Sequence, residues 1–197
     1  AQWQWVAGCG AEAAPGQQEI NVVFTDALSM ADDHILIKNA AKEIAFQHNK
    51  AVSFMAKYKE EVCGCSCHIH NSLFNIKTKK NVFADSKDKM GMSKIFKSYI
   101  AGQIEFLSDL SIFLAPNVNS YKRFQEGSFA PTKSAWGIDN RTAGFRLAGH
   151  GNSIRIECRV PGSDVNPYLS FAGLILAGLY GIENNLKLEA PISGNLY

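Results

Sequence analysis

Positions 153–160, Ser-Ile-Arg-Ile-Glu-Cys-Arg-Val, alternate polar and apolar side chains without a break. A period of two belongs to a strand whose side chains project to opposite faces. Arg155, Glu157 and Arg159 therefore share one face, and Ile154, Ile156, Cys158 and Val160 share the other. Positions 17–24 alternate in the same sense, with Glu19 and Asn21 opposite Ile20, Val22 and Phe24. A third strand is predicted over 67–73, where His68, His70 and Ser72 lie opposite Ile69 and Leu73. Each of these segments has one face fit for a core and one that carries chemistry.

Three helices are predicted around the strands. Positions 30–48 place Ile37, Ala40, Ala41, Ile44 and Ala45 at helical spacing, an amphipathic helix expected to cover the apolar side of the sheet, with His34 and His48 facing solvent. Positions 93–114 form a longer helix with Ser93 as N-cap and Phe96, Ile100, Leu107, Leu110 and Leu114 along a core stripe, stopping before Pro116. The most apolar stretch, 169–182, follows Asn166-Pro167, a helix start, and is too short to cross a bilayer. Segments 77–80 and 85–89 are lysine-bearing turns with no assigned chemistry. The expected fold class is α+β, a curved, mostly antiparallel sheet backed by helices.

Composition adds limits. Over 197 residues, 46% are hydrophobic, enough for one sizeable core, and a formal net charge of +2 argues against nucleic acid as the main partner. No internal repeat, low-complexity tract, signal peptide or membrane span is visible. The distribution of the cations is more telling than their number. All five arginines (Arg123, Arg141, Arg146, Arg155 and Arg159) fall between positions 123 and 159, yet only Lys122 and Lys133 of the lysines do. Guanidinium groups pair bidentately with carboxylate or phosphate oxygens, whereas lysine serves well enough as a hydrated surface charge. The cluster reads as a polyanion site, and acids and imidazoles on neighbouring strands suit a divalent metal beside it. A metal-bound nucleotide triphosphate is the natural occupant.

The cysteines offer a competing reading. Cys63, Cys65, Cys67, His68 and His70 lie close in sequence, as a zinc module would require. Alternation along a strand, however, spaces every second side chain about 6.6–7 Å apart in a row and does not wrap an ion. Cys67 falls on the face opposite the histidines. An odd total of five cysteines suits reduced thiols and a cytoplasmic setting.

Six motifs in register carry a resemblance: Glu12-Ala-Ala-Pro-Gly16-Gln-Gln-Glu19, His68-Ile-His70-Asn-Ser72, Asn119-Ser-Tyr-Lys-Arg123, Asp139-Asn-Arg141, Arg155-Ile-Glu157-Cys-Arg159 and Asn166-Pro-Tyr-Leu169. Their order resembles the catalytic domain of glutamine synthetases and their γ-glutamylamine synthetase relatives. The resemblance implies an ATP-dependent ligase that phosphorylates the γ-carboxylate of glutamate and joins it to an amine, with Mg2+ or Mn2+ as cofactor. It implies metal ligation by Glu12, Glu19, His68 and Glu157. Gly64, Arg123 and Arg159 would contact the amino acid substrate, and His70, Ser72, Arg141, Arg146 and Arg155 the nucleotide, with Arg141 catalytic at the transferring phosphoryl group. The implied assembly is a homo-oligomer, a ring or double ring that would be a dodecamer in the full-length protein.

Two positions depart from the family pattern. Phe129 stands before Ala130-Pro131 where ordinary glutamine synthetases carry an ammonium-binding glutamate, and Cys63 replaces an asparagine beside the retained Gly64. The Gly127-Ser-Phe129-Ala-Pro131 version is similar to the branch that uses larger amines such as polyamines. The alternatives are an ordinary glutamine synthetase using ammonia, a catalytically silent relative, and the zinc module. Against that family, 1–197 reads as a partial catalytic domain, with the N-terminal β-grasp domain and the C-terminal helical end absent. As a fragment it is expected to be inactive alone.

Overall fold

The computed structural model describes residues 6–197 and has a mixed α+β architecture. Its centre is a four-stranded sheet in the order β3 (Ile69–Asn71), β6 (Arg155–Cys158), β5 (Phe145–Ala148), β4 (Trp136–Ile138). Pairing is antiparallel except between β4 and β5. Because β6 pairs Cys158 with both Ile69 and Phe145, and Phe145 pairs with Trp136, one register line of the sheet is wholly apolar and buried. The next line on the other face runs His70, Glu157, Arg146, Gly137. The period-two reading of 153–160 thus gives the right faces, although the ladder itself covers only four of those residues.

Helices α2 (Lys94–Glu105), α3 (Leu107–Leu114) and α5 (Pro167–Glu183) cover the apolar face, and the short α4 (Val118–Tyr121) leads into Arg123. Phe96, Tyr99, Ile100, Leu107, Leu110, Leu114 and Leu174 join Ile69, Phe145, Ile156 and Cys158 in one cluster. Asn166 caps α5 by accepting from the backbone N–H groups of Tyr168 and Leu169, with Pro167 in the first turn, where its missing N–H costs nothing. Ser93 caps α2 through the Phe96 N–H. The single helix predicted over 93–114 is interrupted at Phe106, whose backbone (φ −95°, ψ 7°) leaves helical values while its ring packs edge-on against Tyr180. The break falls where a tertiary aromatic contact forms, with no glycine or proline to announce it.

Two further expectations change. Helix α1 (Ala27–Gln47) begins at an Asp26 cap and packs against α5, not on the sheet. Its buried side is mostly alanine (Ala31, Ala45), so it contributes little to the central core. Within it His34, expected in solvent, is half-buried with its Nε2 unpartnered, and burial, aided by the charge of Lys38, pushes its pKa down to about 4. A folded-state pKa below the unfolded value near 6.5 means that the unfolded chain takes up this proton first. Stability from neutral His34 is present above about pH 6.5 and is lost as the pH falls towards 4, by up to about 3 kcal/mol. Replacement by leucine is expected to flatten the difference between stability curves at pH 7 and pH 4.5, measured by urea unfolding; parallel curves for the two proteins would refute it.

Strand β2 (Gln18–Val22) is not a neighbour of β3 or β6. It pairs with β1 (Val6–Ala11) in a separate two-stranded sheet. A tight turn closes that hairpin, with Glu12 N–H donating to the Gln17 carbonyl and Gly16 at φ +74°. Glycine supplies the left-handed backbone there that other residues resist. The charged wall foreseen on adjacent strands is therefore built from two pieces, a hairpin and a sheet. Phe24, on the expected core face, is 86% exposed. No helix of the described residues is long and apolar enough to cross a membrane.

Candidate active site

Glu157 is the centre of the sheet's polar face and only 2% exposed. Its Oε1 accepts from Arg159 Nη1 at 2.8 Å and its Oε2 from Arg146 Nη1 at 2.8 Å. The His68 Nδ1 lies 3.2 Å and the His70 Nε2 3.7 Å from Oε1. Burial alone would push the Glu157 pKa up, but the Arg146 hydrogen bond and the Arg159 charge outweigh it and hold the carboxylate ionised. Burial also lowers both histidines, His68 to about 4, reinforced by the charge of Arg159, and His70 in direction, with the charges of Arg155 and Arg146 adding to it. Glu157 opposes the shift at both. At neutral pH both imidazoles are uncharged. Arg155 Nε donates to His70 Nδ1 at 3.2 Å. Ser72 follows β3 directly, half-buried.

The hairpin contributes the other acids. Glu12 and Glu19 are exposed, and the neighbouring carboxyl of Glu12 raises the pKa of Glu19, burial adding to the effect while Asn21 and the charge of Arg141 oppose it. Two neighbouring acids, one raising the other's pKa, offer oxygen donors of the kind a hard divalent cation takes. Arg141 is exposed on the loop after β4, and its carbonyl accepts from Arg159 Nε at 2.9 Å. Asp139, at φ +48°, receives Arg146 Nε at 2.7 Å. Asn140 donates to the Gly194 carbonyl and accepts from Thr142. A cleft of about 450 Å³ between 138–141 and 191–194 opens beside Arg141.

Arg123 sits below the site. It is 1% exposed, and its guanidinium donates to the Val160 carbonyl (2.8 Å) and the Ser66 hydroxyl (2.6 Å). Burial pushes its pKa down to about 10, against the opposing charge of Asp164. Its stem also explains Gly64, where an added Cβ would come within 2.6 Å of both the Arg123 Cγ and the Ala56 carbonyl oxygen. In this conformation Arg123 supports the Gly64 loop from beneath.

The structure thus brings together His68, His70, Arg146, Arg155, Glu157 and Arg159 in one array, and Glu12, Glu19 and Arg141 in a second that touches the first through Arg159. It sets Arg123 and Gly64 together at a third corner. Gln17, Asp139 and Asn140 lie inside the motifs but had no expected role; their side chains act on backbone or on other side chains across the chain, which motif position alone does not reveal. As for metals, the neutral imidazoles and the Glu12–Glu19 pair are donors of the right chemistry, but Arg146 and Arg159 occupy both Glu157 oxygens. Among the described residues no group of three or more His, Cys, Asp or Glu is arranged to hold an ion. The zinc reading fares worse. Cys67 packs against the core, where burial pushes its thiol up to about 11, away from the thiolate that zinc binds.

The chain is an α+β domain whose sheet carries guanidiniums, acids and imidazoles on one face, beside an acid-bearing hairpin. The chain belongs to the glutamine synthetase catalytic-domain family, whose model, "Glutamine synthetase, catalytic domain", matches residues 5–197. It is 50% identical over 190 residues to the gamma-glutamylethanolamide synthetase of Streptomyces coelicolor, covering 94% of this chain and 39% of that protein. It is 47% identical over 191 residues to type-1 glutamine synthetase 2 of Dictyostelium discoideum (96% and 37%), and 44% identical over 187 residues to the glutamate–isopropylamine ligase of a Pseudomonas species (94% and 40%). The chain spans about two fifths of the length of these relatives.

Proposed function

We propose that the protein to which this chain belongs is an ATP-dependent ligase that makes γ-glutamylamines. A γ-carboxylate oxygen of glutamate attacks the terminal phosphorus of ATP and releases ADP. The amine nitrogen then attacks the acyl carbon, expels phosphate and gives up a proton. The observation that carries this reading is the row of His70, Glu157 and Arg146 across three strands, within a chain of this family half identical to a synthetase named for a γ-glutamylamide product. Arg141, Arg146 and Arg155 would neutralise phosphate oxygens, His70 and Ser72 would contact the nucleotide, and Arg159 with the Gly64 loop would hold glutamate over Arg123.

Mg2+ or Mn2+ held by Glu12 and Glu19, and by His68 with Glu157, would supply charge neutralisation at the phosphates. The second of these requires Arg146 or Arg159 to release an oxygen of Glu157. Phe129 would line the amine path. It is 59% exposed at φ +61°, on a turn fixed by the Ser128 hydroxyl donating to the Arg123 carbonyl. Ordinary glutamine synthesis is the second reading, favoured by the Dictyostelium relative and opposed by the missing carboxylate at Phe129. A homo-oligomeric ring, up to a dodecamer, belongs to the same proposal and is supported by apolar side chains left exposed on α1, α3 and α5, among them Phe46, Ile112 and Leu176. The free thiols support a cytoplasmic setting.

The test is phosphate release from ATP and glutamate by the full-length protein with ammonia, ethanolamine, isopropylamine and putrescine. An organic amine as best acceptor is expected. Ammonia as best acceptor restores the second reading, and no turnover with any acceptor points to a silent relative. Arg141→Ala is expected to lower kcat on the order of 10²–10³-fold with a much smaller effect on KM for ATP, because a donor aimed at developing charge acts mostly in the transition state.

A further inference from the structure

The hairpin that carries Glu12 and Glu19 makes few hydrogen bonds to the rest of the described residues. Most residues of β1 and β2 are exposed, and Ala14 in the turn is the buried exception. Among the described residues, its hydrogen bonds to the rest of the domain come from Gln17 and from Tyr58, whose hydroxyl donates to the Pro15 carbonyl at 3.2 Å. Gln17 uses both ends of its amide. Its Oε1 accepts from the Ala14 N–H at 3.1 Å and so fixes the turn. Its Nε2 donates to the Gly64 carbonyl at 3.0 Å and approaches the Cys65 sulfur at 3.4 Å. Gly64 in turn is locked against Arg123 and Ala56 with no room for a Cβ.

We propose that Gln17 is a positioning residue that sets the Glu12–Glu19 pair in register with the Gly64 loop, so that the metal carboxylates and the glutamate-binding loop move as one unit. The geometry makes the coupling directional. An amide can donate to Gly64 and accept from Ala14 at once, whereas a carboxylate of the same length can only accept and would face the Gly64 carbonyl with a second oxygen. The nucleotide-contacting residues His70, Arg146 and Arg155 stand on the sheet and do not depend on the hairpin for their placement. Loss of the tether should therefore affect cation and glutamate while sparing ATP.

This inference rests on the ligase reading above for what the two units bind, and its test separates the two. Gln17→Ala and Gln17→Glu would be made in the full-length protein. Free Mn2+ would be titrated by electron paramagnetic resonance, and KM measured for glutamate and for ATP. Both variants are expected to bind Mn2+ on the order of 10-fold more weakly, the scale seen when outer partners of metal ligands are removed. The glutamate KM should rise with it and the ATP KM stay within about twofold. Thermal unfolding of each variant serves as the control for folding. Unchanged Mn2+ affinity, a parallel rise in the ATP constant, or wild-type behaviour of Gln17→Glu would each overturn the tether. If the wild type binds Mn2+ but turns over no amine, the ligase reading fails, while the Mn2+ titration still decides whether Gln17 holds the acid pair.

Discussion

Gly181→Ala is expected to destabilise the domain by about 3 kcal/mol, although alanine is the better helix former. By propensity alone the change in a helix interior should stabilise by about 1 kcal/mol. Packing reverses the sign. A Cβ at Gly181 would lie 2.1 Å from the Ser98 carbonyl oxygen and 2.8 Å from the backbone nitrogen and Cα of Gly102. Across the contact, a Cβ at Gly102 would lie 2.1 Å from the Ala177 carbonyl oxygen. These are backbone atoms of α2 and α5 and have no rotamer to change, so the two helices must separate. Separation would open the layer formed by Phe96, Tyr99, Ile100 and Leu174, which supports the apolar underside of β5 and β6. Gly173, on the same helix, meets only the Cδ2 of Leu110 and the edge of Phe113, flexible ends that can yield. Urea unfolding of the two alanine variants checks the argument: a loss at position 181 no greater than that at 173 would refute backbone contact as the reason for the glycine.

How far the chain could be read in advance follows from the range of the forces involved. The polar and apolar sides of 153–160 were legible because Ile154, Ile156 and Cys158 are all buried on one side, and burial on one face imposes a strict period. Asn166-Pro167 and Ser93 were legible because capping is local. Partnering was not. Alternation assigns Glu19 to a face, but the two-stranded pairing of β2 with β1 depends on a turn and on a strand whose Gly8 and Gly10 carry no pattern. Strands β4 and β5 are three and four residues long, too short for a period, and are defined by pairing, β5 with β6 and β4 with β5. The break at Phe106 falls where its ring meets Tyr180, far along the chain. In the candidate site, the residue types of the Arg-rich strand pointed to anion and metal chemistry, yet the grip of Arg146 on Glu157 appears only once Arg146 and Glu157 are paired across β5 and β6. The burial of Arg123 has the same origin, since nothing in Asn119-Ser-Tyr-Lys-Arg123 says that its guanidinium ends against Val160 and Ser66.

Glu157→Gln should be the most damaging change on the polar face, lowering stability by about 3–5 kcal/mol, the cost typical of removing one partner from a buried ion pair. Arg159, buried, and Arg146, mostly so, each donate to a different oxygen of this carboxylate. A glutamine keeps the shape but offers one oxygen and turns an N–H2 group towards the other guanidinium. One cation then loses its acceptor in a place that water reaches poorly, although Arg146 retains Asp139. Arg159 also loses orientation, and with it the hydrogen bond from its Nε to the Arg141 carbonyl that ties the Arg141 loop to the sheet. The double variant Glu157→Gln with Arg159→Met discriminates between mechanisms. If the penalty comes from an unpaired buried cation, deleting that cation should recover part of the lost stability, so the two changes are less than additive in urea unfolding. If instead the carboxylate matters through packing alone, the second substitution adds its own loss, and the unpaired-charge account of this face is wrong.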